Sequence, residues 1–511
     1  VTDVVLGVDV GSSAVKVAAV ALDGQLLGTA EVPYPTTRPA PGRAHQSAED
    51  WYRASCQGIR RCLADTSFHP SRVAAVAVDG PAHNVALLDD RDRVLAPVIH
   101  WSDTRAADLA GMLDATHGAV IRQQTLHHPK ASWTLAQLRW VAEHQPGTWA
   151  QVRRVAVTKD YVRFRLTGEH ATESYDALGT QLYDTTTDQW SPDLLALLEW
   201  GDRELPPIRP AGAVAGTVTP AAAVDCGLPA GTPVAVGTSD TLAESVAVGV
   251  TDPGQALVKL GSSANVLVVT DAPGEAEGAL TYPHLRSGRW IQVTATSAGA
   301  AAARWLRDAV FPEHDRTADD LGIPAYTLME RMAAAVPPGS AGLLFHPYLN
   351  GERAPIDDPK LRAHLLGISS AHTRSHLVRA VLEGVAYSVR HCWDALTGPA
   401  VHDDAQPLPL SLIGGGARNA VWARIVCDVL GTPLAVTTGP AAAVGSARLA
   451  ATAAGLTLDT AADHPWGIDC SRLEPDPQAC GIYDELMAIY LDAIHAVAPL
   501  SHRLSSFGLS T

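Results

Sequence analysis

The sequence predicts a mixed α/β protein of two large domains related by internal duplication. Three observations carry that prediction. The chain has 511 residues, more than one hydrophobic core accommodates. Its opening reads strand, strand, strand, helix, strand, which is mixed α/β and not a plain run of βαβ units. One short phrase also occurs in each half: Val8-Asp9-Val10-Gly11-Ser12-Ser13-Ala14-Val15, then Val258-Lys259-Leu260-Gly261-Ser262-Ser263-Ala264-Asn265.

The elements follow in order. Strands are expected over 4–10, 15–22 and 26–34, with Asp23-Gly24 as a type I′ turn between the last two. A Pro-rich loop runs to Pro41, and a helix of about twenty residues starts at Ser47, with Glu49 and Asp50 in its first turn. Strands over 73–78 and 85–88 flank a loop at 79–84. The stretch 105–200 reads as mainly helical, and 205–236 is punctuated by Pro and Gly. Strand 234–236 stops at Gly237-Thr238-Ser239-Asp240, before a helix over 241–250. The second Gly-Ser-Ser pair starts after Gln255, which sets domain limits of 1–250 and 251–511. Strand 410–413, the turn Gly414-Gly415-Gly416-Ala417-Arg418-Asn419 and a helix through 422–430 form a βα unit. A strand over 434–437, a small-residue helix over 444–454 and a closing helix over 483–497 complete the chain, whose end reads as loose.

Composition narrows the function class. The net charge of −16 disfavours nucleic acid or an anionic membrane as the main partner. It leaves phosphate ligands open, because backbone dipoles and Mg²⁺ override the global field locally. Seven cysteines without CxxC spacing point to reduced thiols and a cytoplasmic setting. No signal peptide is evident at the start, and no apolar stretch is long enough to span a bilayer.

A Gly-Ser-Ser turn between strands can present several N–H and O–H donors to one anion, and it also serves as an ordinary hairpin turn. Two copies, one per half, suggest a duplicated fold clasping a polyphosphate, and Asp9 before the first turn is placed to hold a metal ion beside it. No Gly-Lys pair occurs, so a Walker loop is absent. Gly414 to Asn419 suits a nucleotide approaching a helix N-terminus, or simple close packing. Asp240 fits either a helix N-cap or a general base at a strand end. His83 is placed to donate to a sugar hydroxyl or to be solvated, and Trp101 to cover a sugar face or to join a core.

These pieces, in this order, resemble the FGGY carbohydrate kinases of the actin/hexokinase-like ATPase superfamily. The densest match is Ala363-His364-Leu365-Leu366-Gly367-Ile368, then seven residues, then His376-Leu377-Val378-Arg379-Ala380-Val381-Leu382-Glu383-Gly384. Supporting matches are Asp9 to Ser13, Lys159-Asp160-Tyr161, Gly351-Glu352-Arg353-Ala354-Pro355 and Gly414 to Arg418. The resemblance implies two ribonuclease-H-like domains with a central cleft, ATP and Mg²⁺ in that cleft, and a sugar in the first domain. It assigns Asp9 to the metal side, and Gly11, Ser12, Ser13 and Lys16 to the first phosphate loop. Gly261, Ser262 and Ser263 become the second loop, Gly415, Gly416 and Asn419 the adenosine side, and Asp240 the catalytic base.

Within the family the pattern is most similar to the xylulose kinases. Their Met-His pair falls at Ala82-His83, and their Trp-Asn-Asp-x-Arg at Trp101 to Arg105, so Ala82, His83, Trp101, Asp103, Asp240 and Thr241 are the expected sugar contacts. Pro81 replaces a Gln, Ala82 a Met, Thr241 an Asn and Gln137 a Lys of the family pattern. The resulting expectation is ATP-dependent phosphorylation of a primary hydroxyl of a ketopentose, D-xylulose. Ribulose, gluconate, a tetritol or a non-catalytic sugar sensor stand as alternatives. A homodimer is compatible with this reading.

Overall fold

A computed structural model describes residues 3–66, 68–274, 278–398, 409–455, 466, 469–505 and 507. The chain forms two compact units. The first comprises Val1–Gly249, Tyr282–Gly288 and Pro440–Ile468; the second comprises Val250–Thr281, Arg289–Gly439 and Asp469–Thr511. The boundary near 250 is therefore one of several, because two later segments pack with the first unit.

In the first unit, Val4–Val10, Ala14–Ala21 and Leu26–Pro33 form an antiparallel meander around the first Gly-Ser-Ser turn. Val4–Val10 also pairs in parallel with Val73–Gly80, which pairs in parallel with Pro233–Ala235. Both faces of Val4–Val10 are buried, as its uninterrupted apolar run requires. Helix Ala48–Ala64 covers one face, capped by Ser47, whose side chain accepts the Asp50 amide. Helix Ala441–Ala453 covers the sheet from the other side. Its small residues have a steric cause. A Cβ on Gly7 would lie 1.7 Å from the Ala443 carbonyl oxygen, and one on Gly445 would lie 1.8 Å from that of Ala243. Helix and strand, and helix and helix, thus meet almost backbone to backbone.

The second unit repeats the pattern. Ala256–Leu260, Ala264–Thr270 and Trp290–Thr296 form the meander; Ala256–Leu260 pairs in parallel with Leu410–Ile413, and that strand with Leu434–Thr438. Three antiparallel strands followed by two parallel ones, twice over, is the duplicated fold that the repeated phrase predicts. The long signature helix Arg374–Thr397 runs through this unit's core. There the Glu383 carboxylate accepts from Arg379 Nε (2.7 Å), Ser340 Oγ (2.7 Å), the Gly339 amide (3.0 Å) and the Tyr483 hydroxyl (2.9 Å). A buried ion pair is tolerated only with its remaining valences filled, and here they are. The closing helix spans Pro477–Ser505, longer than expected; residues 508–511 of the expected loose end lie outside the described residues.

Candidate active site

Three strands of the first unit end side by side in carboxylates. Asp9 closes Val4–Val10 and is in register with Asp79 near the end of Val73–Gly80. Asp79 is in turn in register with Thr238 on Thr238–Ser239, and Asp240 follows. The C-terminal ends of parallel strands are where open α/β sheets place ligands. Asp79 is fully buried, and its Oδ2 accepts from Ser446 Oγ at 2.5 Å. Burial, then the charge of Asp9, pushes its carboxyl well above the usual carboxylate range.

Ser239, not Asp240, caps the helix Asp240–Ala247: its side chain accepts the Leu242 amide at 3.2 Å. Asp240 is the first helical residue and half-exposed, with Oδ1 accepting the Thr241 amide at 2.8 Å and its hydroxyl at 3.4 Å. The bland explanation of Asp240 as a cap is thereby removed. Glu244, one turn on, adds a fourth carboxylate whose charge also acts on Asp79.

The first Gly-Ser-Ser turn is held by its carbonyls. Gly11 O accepts from the Tyr34 hydroxyl, Ser12 O from Gln46 Nε2 (2.8 Å), and Ser13 O from the Tyr34 amide (3.1 Å). Among the described residues the Ser12 and Ser13 amides have no acceptor, and both serines are exposed. The turn therefore presents donors, the chemistry an anion requires. Lys16 is half-exposed and lies 3.8 Å from Asp9. Trp101 joins the same turn, its indole N–H donating to Ser12 Oγ at 3.2 Å.

The expected sugar residues fall into two groups. His83 sits beside Asp240 electrostatically, and burial lowers its pKa to about 4, so the ring is neutral. Its Nδ1 lies 3.0 Å from the Gly179 carbonyl, which only accepts, so Nδ1 carries the proton and Nε2 is an acceptor. His83 can therefore only accept, through Nε2, the reverse of the sequence expectation that it donates. Ala82 is buried against Gly179. Asp103 has another occupation: its carboxylate takes Arg105 Nε (2.8 Å) and Nη2 (2.6 Å) and the Ala44 amide (2.6 Å), 1% exposed. Gln137 is likewise buried, its amide reaching the Ser132 carbonyl at 3.3 Å.

In the second unit, the carbonyls of Gly261 and Ser262 accept the Ala300 (2.8 Å) and Ala301 (3.1 Å) amides. As in the first copy, the Ser262 and Ser263 amides have no acceptor among the described residues. Lys259, at the position equivalent to Asp9, is in register with Asn265. Gly416 packs against Leu260 and Trp422, whereas Gly415 is exposed with open space around it. Asn419 caps Ala420–Leu430, its side chain accepting the Trp422 amide. Glu352 ties its loop down, accepting from Thr296 Oγ1 and the Ser297 amide at 2.6 Å each.

Sequence reasoning passed over Asp79 and Glu244. The spacing Asp240 to Glu244 carries one signal, since residues four apart share a helix face. Asp79 had another, a carboxylate at the end of an apolar strand, as at Asp9. All seven cysteines are free thiols. Among the described residues, no helix is long and apolar enough to cross a membrane.

Comparison with known proteins bears on the same features. The N-terminal domain of the FGGY family of carbohydrate kinases matches residues 4–247, and its C-terminal domain matches 256–454. The chain is 30% identical to a xylulose kinase of Escherichia coli, over 88% of this chain and 90% of that one. It is 28% identical to a gluconokinase of Bacillus subtilis, over 85% and 84%. The crystal structure of xylulose kinase from Rhodospirillum rubrum superimposes with a TM-score of 0.84 at 30% identity, covering 98% of this chain and 100% of that one. Duplicated fold, donor turns and strand-end carboxylates coincide with matches along nearly the whole chain, and the chain belongs to the FGGY family of carbohydrate kinases, which act with ATP as co-substrate.

Proposed function

We propose that this protein transfers the terminal phosphoryl group of ATP to a primary hydroxyl of D-xylulose. The observation that carries the reading is Asp240, a half-exposed carboxylate at the strand ends whose helix is capped by a different residue. The relatives named xylulose kinase support the choice of sugar.

Asp240, oriented by the Thr241 amide, accepts the proton of the attacking hydroxyl as the phosphoryl group is transferred. Ser12, Ser13 and Lys16 hold phosphate oxygens through loop amides, hydroxyls and one ammonium. Ser262 and Ser263 are assigned to the nucleotide tail, and Gly415, Gly416 and Asn419 to the adenosine side, by resemblance. Asp9 offers the hard oxygen donors that Mg²⁺ prefers. Among the described residues no group of three or more His, Cys, Asp or Glu side chains is arranged to hold a metal; Asp9 is the residue that would hold the cation. Mg²⁺ supplies neutralisation of phosphate charge when bound. The free thiols support a reducing, cytoplasmic setting.

The test is a coupled ADP-release assay over D-xylulose, D-ribulose, gluconate, glycerol and tetritols. ADP release stimulated by D-xylulose above the other acceptors is expected. ATP binding with no sugar-stimulated release would reassign the protein as a sensor.

A further inference from the structure

Tyr282 follows the second meander's first two strands in sequence, yet it packs in the first unit. Its ring stacks on Tyr175, with centroids 4.1 Å apart and 10° between planes, and lies parallel to Trp133 at 6.1 Å. His127 stands beside it at 5.6 Å. Tyr282 is 2% exposed, Trp133 1% and Tyr175 5%, so the ring has one orientation. That orientation places its hydroxyl 3.3 Å from His83 Nε2.

The proton arrangement follows from chemistry. His83 Nδ1–H is committed to the Gly179 carbonyl, so Nε2 accepts and the Tyr282 hydroxyl donates. The Tyr282 oxygen keeps its lone pairs for accepting. Tyr175 hydrogen-bonds Ser239, the residue before Asp240, which links this aromatic wall to the base. Carboxylate charges act on the wall, Asp240 on His83 and Tyr175, and Asp176 on Tyr175 and Tyr282. The neighbouring ammonium, Lys159, is spent on Asp160 at 2.7 Å and Asp176 at 2.9 Å. Of the two amide donors in the family pattern, one is Pro81, which has no N–H, and the other is Thr241, whose hydroxyl lies 3.4 Å from Asp240 Oδ1.

The geometry points to Tyr282, seated on His83 and held between Tyr175 and Trp133, as a specificity-determining residue of the sugar site that admits neutral ketoses and polyols and turns away sugar acids. A sugar hydroxyl donates its proton to the Tyr282 oxygen. A sugar-acid carboxylate is ionised at neutral pH and only accepts. Set beside the carboxylates of Asp240 and Asp176, it loses its hydration against like charge. This inference rests on the kinase reading above and narrows its substrate class.

The test compares D-xylulose and D-gluconate on the wild type and on Tyr282→Phe, by steady-state kinetics and by calorimetric binding. The variant keeps the ring and its stack and removes one oxygen. Wild-type kcat/KM is expected to favour D-xylulose by about 100-fold or more. In Tyr282→Phe the KM for D-xylulose rises about tenfold while kcat moves less than about threefold, which narrows the preference. Comparable use of both sugars by the wild type overturns the proposal, as does an unchanged preference in the variant. Absence of turnover on either sugar defeats the kinase reading separately, and calorimetry then decides. Tighter D-xylulose binding that weakens in the variant sustains the inference; equal or undetectable binding of both sugars overturns it.

Discussion

Ser446 donates its hydroxyl to Asp79 at 2.5 Å, joining helix Ala441–Ala453 to the middle carboxylate of the strand-end row. Asp79 Oδ1 has no hydrogen-bond partner among the described residues. Ser446→Ala strips the buried carboxylate of its one hydroxyl donor, and the expected cost is about 1–3 kcal/mol of stability. Urea unfolding measures it. An unchanged midpoint would show that the contact contributes nothing.

Asp240→Asn keeps the size of the side chain and removes the base. Turnover is expected to fall by about 10²–10⁴-fold. The melting temperature should stay close to wild type, because Ser239 provides the cap. Ser239→Ala is the control with the opposite signature, losing about 1 kcal/mol of stability. Near-normal turnover in Asp240→Asn would remove Asp240 from the mechanism.

The sequence made the duplication, the two Gly-Ser-Ser turns and the strand-end position of Asp240 legible, because each is a local pattern of chain direction and residue type. It left the identity of the cap unresolved, since Ser239 and Asp240 are both good caps and only the backbone path separates them. Asp103 matched a family motif, yet its charge is consumed by Arg105 two residues away, a pairing that depends on the fold of the loop. The row Asp9, Asp79, Asp240 was hidden because its members are distant in sequence and meet only through parallel pairing.

Burial, then the neighbouring Asp176, pushes the Glu173 carboxyl up to about 8 from its ordinary 4.5. Its oxygens cap Ser174–Gly179, accepting the Tyr175 amide at 2.6 Å and the Asp176 amide at 3.0 Å. The folded protein keeps this proton where the unfolded chain has released it, so stability falls as pH rises through that window. Denaturant midpoints should be lower at pH 9 than at pH 6, with a shallower slope in Glu173→Gln. Equal slopes in the two proteins would contradict the assignment.

Trp101→Phe retains a ring but loses the N–H that reaches Ser12 Oγ. Loss of one such bond is expected to raise the KM for ATP by about 3–10-fold. An unaltered KM for ATP would show that Ser12 is positioned without the indole.

Helix Ala441–Ala453 has a consequence for biosynthesis. Gly7 and Ala243 receive their covering backbone from a segment made some two hundred residues after Ala243. On the ribosome, the apolar back of Val4–Val10 stays uncovered until almost the whole chain has emerged. The N-terminal half is thus an unfinished body, with apolar surface exposed until that helix arrives. A fragment ending at Gly249 should precipitate where the full chain does not.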